Sequence, residues 1–250
     1  MNRLGVLIKG ELVRLNKYGV FSISILVAVI WGIVLFLIDS DYLATFLPFV
    51  LLLDATIMSV MYIGAEMYFE KSESTISTML VTPVTNNELV ASKALANTIH
   101  NLVSSSLIIG VFYIAAKLEY IIDPGIKIIP LLLAVVIITS TFTILGLVLS
   151  YYQKDFTDML VNMFMIAIFL MIPSFLLMFG VIEGDVWENV MLINPFQAAQ
   201  VLLQGGFESP DPLGYEYYVS LGYLFFGGII LYFAVAIPKF QNYAVKQSGV

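Results

Sequence analysis

The sequence predicts an all-α, polytopic membrane protein, and three observations carry that prediction. Hydrophobic residues make up 60% of the 250 residues and charged ones only 12%, with a mean hydropathy of +0.96. A soluble domain of this size would have too few polar groups to offer water. The apolar residues gather in windows of about 20, the length that crosses about 30 Å of hydrocarbon. Within lipid a lone segment must satisfy its own backbone hydrogen bonds, so the windows read as helices.

The first nineteen residues form no such window. Leu4, Leu7, Ile8 and Leu15 fall near one helical stripe, with Arg3, Lys9, Arg14 and Lys17 elsewhere. That pattern suits a helix lying in the membrane interface with its bases near anionic headgroups. No small-residue cleavage site follows the first apolar run, so the segment reads as retained sequence. Six windows then qualify as spans: Val20–Ile38, Thr45–Tyr68, Ala94–Ala116, Ile128–Tyr151, Met159–Val181 and Val219–Ile237.

An even number of spans puts both termini on one side, and Lys and Arg choose it. With cytoplasmic termini, Arg3, Lys9, Arg14, Lys17, Lys71, Lys93, Lys154, Lys239 and Lys246 lie inside, against Lys117 and Lys127 outside. The loop at 182–218, with six acids and no base, suits the exterior. The segment 69–93 is thereby expected in the cytoplasm.

Within the spans, Asp54 is the carboxylate placed deepest, and Met58 and Met61 continue its face. A charge at that depth is expensive, so it faces protein or a wet cavity. It is a candidate pathway-lining residue or a hydrogen-bonded packing residue. Asn97, His100, Asn101 and Ser104 make a polar stripe on the third span, of the kind that joins helices. His100 has no second ligand at suitable spacing, so no metal site is expected. Thr139, Thr143, Gly146 and Ser150 form a small-residue seam on the fourth span. The fifth is rich in Met and Phe, including Met163 and Phe175, which could line a route for amphiphiles or simply pack; Pro173 should kink it. In the following loop, Pro195 is placed to open a short helix ending at Gly205-Gly206.

The segment FEKSESTISTMLVTPVTNNELVASK, Phe69 to Lys93, is too patterned to be a plain connector. Ile76, Met79 and Leu80 share one face of a short helix. Thr82-Pro83 ends it, and Thr85-Asn-Asn-Glu88 has the capping-box form that starts the next. The run EKSESTISTMLVTPV resembles the cytoplasmic signature of type-2 ABC (ATP-binding cassette) transporter permeases. Glu70, Lys71, Glu73, Thr75, Leu80, Thr82 and Pro83 fall on the pattern in register, while Ser72 replaces a common acid and Ser74 the usual glycine. KYGVFSISILVAVIW, LLLDATIMSVMYIGAEMYFEK, LVLSYYQKDFTDML and INPFQAAQVLLQGGF are similar to the drug-export, fluoroquinolone exporter-like branch.

That resemblance implies a single permease domain over 1–250, with an elbow helix at 1–19, a coupling loop at 69–93 and an extracellular loop at 182–218. Before the last span it implies a short re-entrant or interfacial helix. It implies that Glu70, Glu73, Thr75, Ile76, Met79, Leu80, Thr82 and Pro83 engage a separate ATPase. The expected assembly has two ATPase copies and a second permease, the same chain or a paralogue, in the cell membrane. ATP and Mg would sit on the ATPase, because this chain has no G-x-x-x-x-G-K-[ST] loop. Membrane lipid is the other expected partner; no nucleic acid is. Two other classes compete, a membrane-embedded enzyme and a secondary transporter. The first needs paired acids or a nucleophile with a base in the spans, and the second more buried ionisable groups or internal repeats. No catalytic residue is expected.

Overall fold

A computed structural model describes residues 3–38, 40–75, 83–115, 117, 126–207 and 213–247. It begins with α1 (Arg3–Lys17) and α2 (Val20–Leu37), whose axes meet at 65°. Gly19 makes the corner at φ 76°, a left-handed conformation that costs other residues roughly 1–2 kcal/mol. Next come α3 (Ser40–Leu53), a π turn (Asp54–Met58) and α4 (Ser59–Ser72). They form one rod whose apolar stretch runs from Phe46 to Ser72.

The long helices α5 (Asn86–Ala115), α6 (Ile128–Ser150) and α7 (Phe156–Met178) follow. The short α8 (Asp185–Met191) and α9 (Pro195–Gln204) come next. The last rod is α10 (Tyr215–Leu231), a second π turn (Tyr232–Ala236) and α11 (Ile237–Gln247). Among the described residues, five helices are long and apolar enough to cross a membrane, and the count is six if the bent α1–α2 pair is one span. The protein is therefore an all-α, multi-pass membrane protein. Among the described residues, the only β pairing is an isolated bridge between Ile126 and Phe207.

The rods differ from the hydropathy windows mainly at their ends. Helix α5 starts at Asn86, not Ala94, because the capping box forms as the sequence suggests. Glu88 N donates to Thr85 Oγ1 (3.2 Å) and Thr85 N donates to Glu88 Oε2 (2.9 Å). The polar turns after that cap depress the hydropathy average without interrupting the helix. Helix α7 passes through Pro173 without a break in its helical assignment. Near it, Leu170 O accepts a hydrogen bond from Asn194 Nδ2 (2.6 Å), which ties α7 to the start of α9.

The core lies where α3–α4, α5, α6 and α9 converge. Leu51, Leu131, Val135, Ile138, Phe196 and Leu203 are buried together there. On the small-residue seam of α6, a Cβ added at Gly146 would lie 2.8 Å from Val60 Cα and 3.1 Å from Val60 O. Only glycine lets α4 and α6 approach so closely.

Helix α9 opens at Pro195 with Asn194 as its cap, accepting from Phe196 N at 3.0 Å. It buries far more than one face: Phe196, Ala198, Ala199, Leu202 and Leu203 join the core, and Gln197 and Gln200 are buried too. The short helix predicted before the last span is thus an internal packing element. Lys127 N donates to Gly206 O (2.8 Å), tying its exit to the start of α6.

Candidate functional site

One end of the α3–α4 rod carries an ionic cluster. Glu66 and Glu70 stand one helical turn apart on α4, and α1 brings Glu11 and Arg14 while α5 brings Lys93. Glu11, Glu66, Glu70 and Lys93 have no solvent exposure. The Lys93 ammonium donates to Glu70 Oε1 and to both oxygens of Glu11 at 3.3 Å. Arg14 Nη2 lies 2.5 Å from Glu11 Oε1, and its Nε lies 3.2 Å from Glu70 Oε1. The two Glu66 oxygens accept no hydrogen bond from any described residue. Oxygens of Glu11, Glu66 and Glu70 lie within 4.8 Å of one another, and the two bases Lys93 and Arg14 pair with Glu11 and Glu70 but not with Glu66. Three helices are therefore joined by charges that none could bury alone.

The stems of the 69–93 loop are fixed beside this cluster. Lys17 Nζ donates to Glu73 Oε1 (2.9 Å) and Oε2 (3.0 Å), and Tyr18 Oη donates to Glu73 Oε2 (3.1 Å). The Lys17 ammonium holds the Glu73 carboxyl below the ordinary carboxylate range. Lys71 Nζ donates to the carbonyls of Gln153 (3.2 Å) and Lys154 (2.9 Å), just past the end of α6. On the returning stem, Tyr232 Oη donates to Asn87 Oδ1 at 2.6 Å. Ser74 adopts φ 55°, the left-handed region in which glycine is the residue of lowest cost. The serine thus occupies a glycine-type conformation where the resembled signature has glycine.

The structure divides the sequence-derived coupling residues. Glu70 is fully buried in the cluster, Glu73 is exposed and tied to α1, Thr75 is half-buried and Pro83 is exposed. Ile76, Met79, Leu80 and Thr82 lie outside the described residues, as does most of the short helix expected there.

The candidate pathway residues do not form one constellation. Asp54 is fully buried at the π turn, where it accepts from Ser104 Oγ (3.0 Å) and Ser105 Oγ (2.7 Å) of α5. Met58 and Met61 are half-buried. Met163 is buried against Gly64, and Phe175 packs between Phe49 and Phe196, with ring centroids 5.5 and 6.0 Å away. The α5 stripe is spent on helix joining. Asn97 Nδ2 donates to Ser59 O (3.1 Å) and Thr143 Oγ1 (2.7 Å), and His100 Nε2 lies 2.6 Å from Ser24 Oγ. His100 and Asp54 thus engage separate partners and make no acid–base pair.

Sequence reasoning missed the cluster. Arg14 and Lys93 counted only as inner-side bases, and Glu66 fell in the last turn of a predicted span. The available signal was the spacing of Glu66 and Glu70, which places two acids on one helix face, an unfavourable pair unless a base lies between them.

The described residues thus form a bundle of membrane-length helices whose α1, α4 and α5 are joined by buried ion pairs. The family model described as ABC-2 family transporter protein matches residues 33–237, and the chain belongs to that family as a membrane permease of an ABC transporter. Membership implies an ATPase partner. A search of curated proteins returned no match.

Proposed function

We propose that the chain forms half of the membrane pathway of an ABC exporter for drugs or other amphiphilic small molecules, with segment 69–93 transmitting force from a separate ATPase. The observation that carries this is the fixing of both stems of that segment: Glu73 is tied to Lys17 and Tyr18, and Thr85 and Glu88 cap α5. A push on the segment would pass into α1, α4 and α5 together, because the buried ion pairs join all three. Glu70 then acts through Lys93 and Arg14, not by touching the partner. The apolar side chains Ile76, Met79 and Leu80 supply the contact, with Thr75, Thr82 and Pro83 shaping it.

In this reading two copies of the ATPase bind ATP and Mg²⁺, and a second permease, this chain or a paralogue, completes the pathway. Both termini face the cytoplasm of the cell. The excess of bases on that side supports the orientation, and resemblance to the drug-export branch supports the cargo class.

The test is the double variant Met79→Ala/Leu80→Ala. Truncating large anchors in a helix-in-groove contact costs about 2 kcal/mol or more. Pull-down of the ATPase and transport in vesicles should both fall, while membrane insertion is unchanged. Equal pull-down and equal transport would make the segment an interfacial helix resting on lipid.

A further inference from the structure

Glu66 is the member of the ionic cluster that the ion pairs leave out. Lys93 and Arg14 pair with Glu11 and Glu70, two bases against two acids. Glu66 has no solvent exposure, and neither of its oxygens accepts a hydrogen bond from any described residue. If ionised, it would be a buried charge without water, donor or counter-ion, an arrangement that proteins avoid. Its carboxyl also meets that of Glu11 across the α1–α4 boundary, within hydrogen-bonding reach. An ionised carboxylate only accepts, so two carboxyl groups bond to one another only when one of them carries a proton.

The charges around Glu66 can be followed helix by helix. Helix α1 brings Glu11 and Arg14, α4 brings Glu70, and α5 brings Lys93; Tyr243 of α11 stands near Glu70 and Lys93. Tyr62, one turn back on α4, meets His100 of α5 instead. Lys71 is turned to the carbonyls of Gln153 and Lys154. Helix α6 has no charged residue, and Asp158 of α7 is engaged with Lys154 N and Asn162. The bases near Glu66 thus already have partners.

We propose that the cluster binds one exchangeable proton, carried by Glu66 and donated in a hydrogen bond to the Glu11 carboxylate, which helps to fasten α1 to α4. Losing it would set a third, unpaired carboxylate against Glu11 and push α1 away. A metal ion of single charge would meet the same charge count. It would lie against the Lys93 ammonium and the Arg14 guanidinium, however, and would need several oxygens where those of Glu11 are already engaged. A proton needs one acceptor. The site belongs to the fold of the chain and holds or fails independently of ATPase coupling.

The experiment compares the full chain with Glu66→Gln by reversible unfolding in mixed detergent micelles between about pH 6 and pH 9. Above the ordinary carboxylate range the unfolded chain has released the Glu66 proton and the folded chain keeps it, so stability falls as pH rises. The folded-to-unfolded ratio of the wild type should fall relative to that of Glu66→Gln by about tenfold per pH unit, one proton's worth, until the folded carboxyl itself ionises. Parallel profiles overturn the proposal. So does stabilisation of the wild type, but not of Glu66→Gln, when sodium replaces choline at equal ionic strength. Infrared spectra of protein isotopically labelled at the carboxyl carbon of glutamate give a second readout, in which Asp54 is silent. At about pH 7.5 the wild type should show a protonated glutamic acid band that Glu66→Gln lacks. Glu66→Asp, which keeps a carboxyl but removes the label, should lack it too and reports if Glu66→Gln does not fold. No such band in the wild type, or a band that survives either substitution, overturns the proposal.

Discussion

Lys93 on α5 rests against Glu70 on α4, and both side chains are completely withdrawn from solvent. Neither helix could carry its own charge there; each makes the other's burial tolerable. Removing the ammonium should therefore be far worse than removing a surface base. Lys93→Met should destabilise the protein by about 3–5 kcal/mol, as for other buried pairs broken on one side. Lys93→Met with Glu70→Gln should cost less than the single change, because one stranded acid is neutralised. Thermal unfolding in detergent reads both, and a double variant less stable than Lys93→Met would show that Glu70 is not the ammonium's partner.

Glycines 64 and 146 look alike in sequence, yet their surroundings differ. A Cβ at Gly146 would press on the Val60 backbone, which cannot move without separating α4 from α6. At Gly64 the obstacle is the flexible end of Met163, with Sδ at 2.6 Å. Gly146→Ala should cost about 1–3 kcal/mol by overpacking. Gly64→Ala should be near neutral, since the methionine can swing away and alanine favours the helix by up to about 1 kcal/mol. Unfolding midpoints for the pair in one detergent decide the matter; equal losses would contradict it.

Much of this fold was legible from the residues. The spans followed from hydropathy, the start of α5 from Thr85 and Glu88, and α9 from Pro195 and Gly205-Gly206. The ionic cluster was not legible in the same way, because hydropathy treats Lys93 as a residue that ends a span. Whether a charge marks the membrane edge or is paired across helices depends on what α1 brings to it, and that is a tertiary fact. Asp54 shows the same gap. Its depth was readable, while of the two serines that hold it Ser104 was visible only as part of a polar stripe and Ser105 carried no signal.

Those serines yield the next expectation. If Asp54 serves to join the rod to α5, Ser104→Ala/Ser105→Ala should leave a buried carboxyl without donors and cost about 1–3 kcal/mol. Asp54→Asn should keep most of the stability, since an amide can still bond to a hydroxyl. Transport that is lost in Asp54→Asn while the thermal midpoint is retained would instead put the carboxyl in the pathway.

Ser74 makes a conformational prediction. Its φ of 55° is inexpensive for glycine and costly for β-branched residues. Ser74→Gly should preserve ATPase pull-down, whereas Ser74→Val should weaken it several-fold by redirecting the chain into the loop. Identical pull-down by both variants would mean that the bend does not set the loop's position.

The tie between Glu73 and Lys17 should respond to pH in a defined direction. With its carboxyl held below the ordinary range by Lys17, the tie is fully present above that range and is lost as pH falls through the depressed value. Being exposed, it should also weaken with salt. A spin-label pair placed on α1 and after α4 should broaden its distance distribution in acid, and Glu73→Gln should remove that response. An acid response that Glu73→Gln leaves unchanged would refute the tie.

The π turn at Asp54–Met58 bears on what heredity can alter here. Each residue added to a helix turns everything beyond it by about 100°. Asp54, at the start of that turn, and Glu70, well beyond it, both reach α5, one at Ser104 and Ser105 and the other at Lys93. Their common orientation depends on the wider turn between them. Deleting a single codon beyond that turn, between Ser59 and Glu66, would swing Glu66 and Glu70 by about 100° relative to Lys93 while leaving composition and hydropathy nearly intact. The number of residues in this stretch is thus a trait under constraint in its own right, separate from the identity of any side chain.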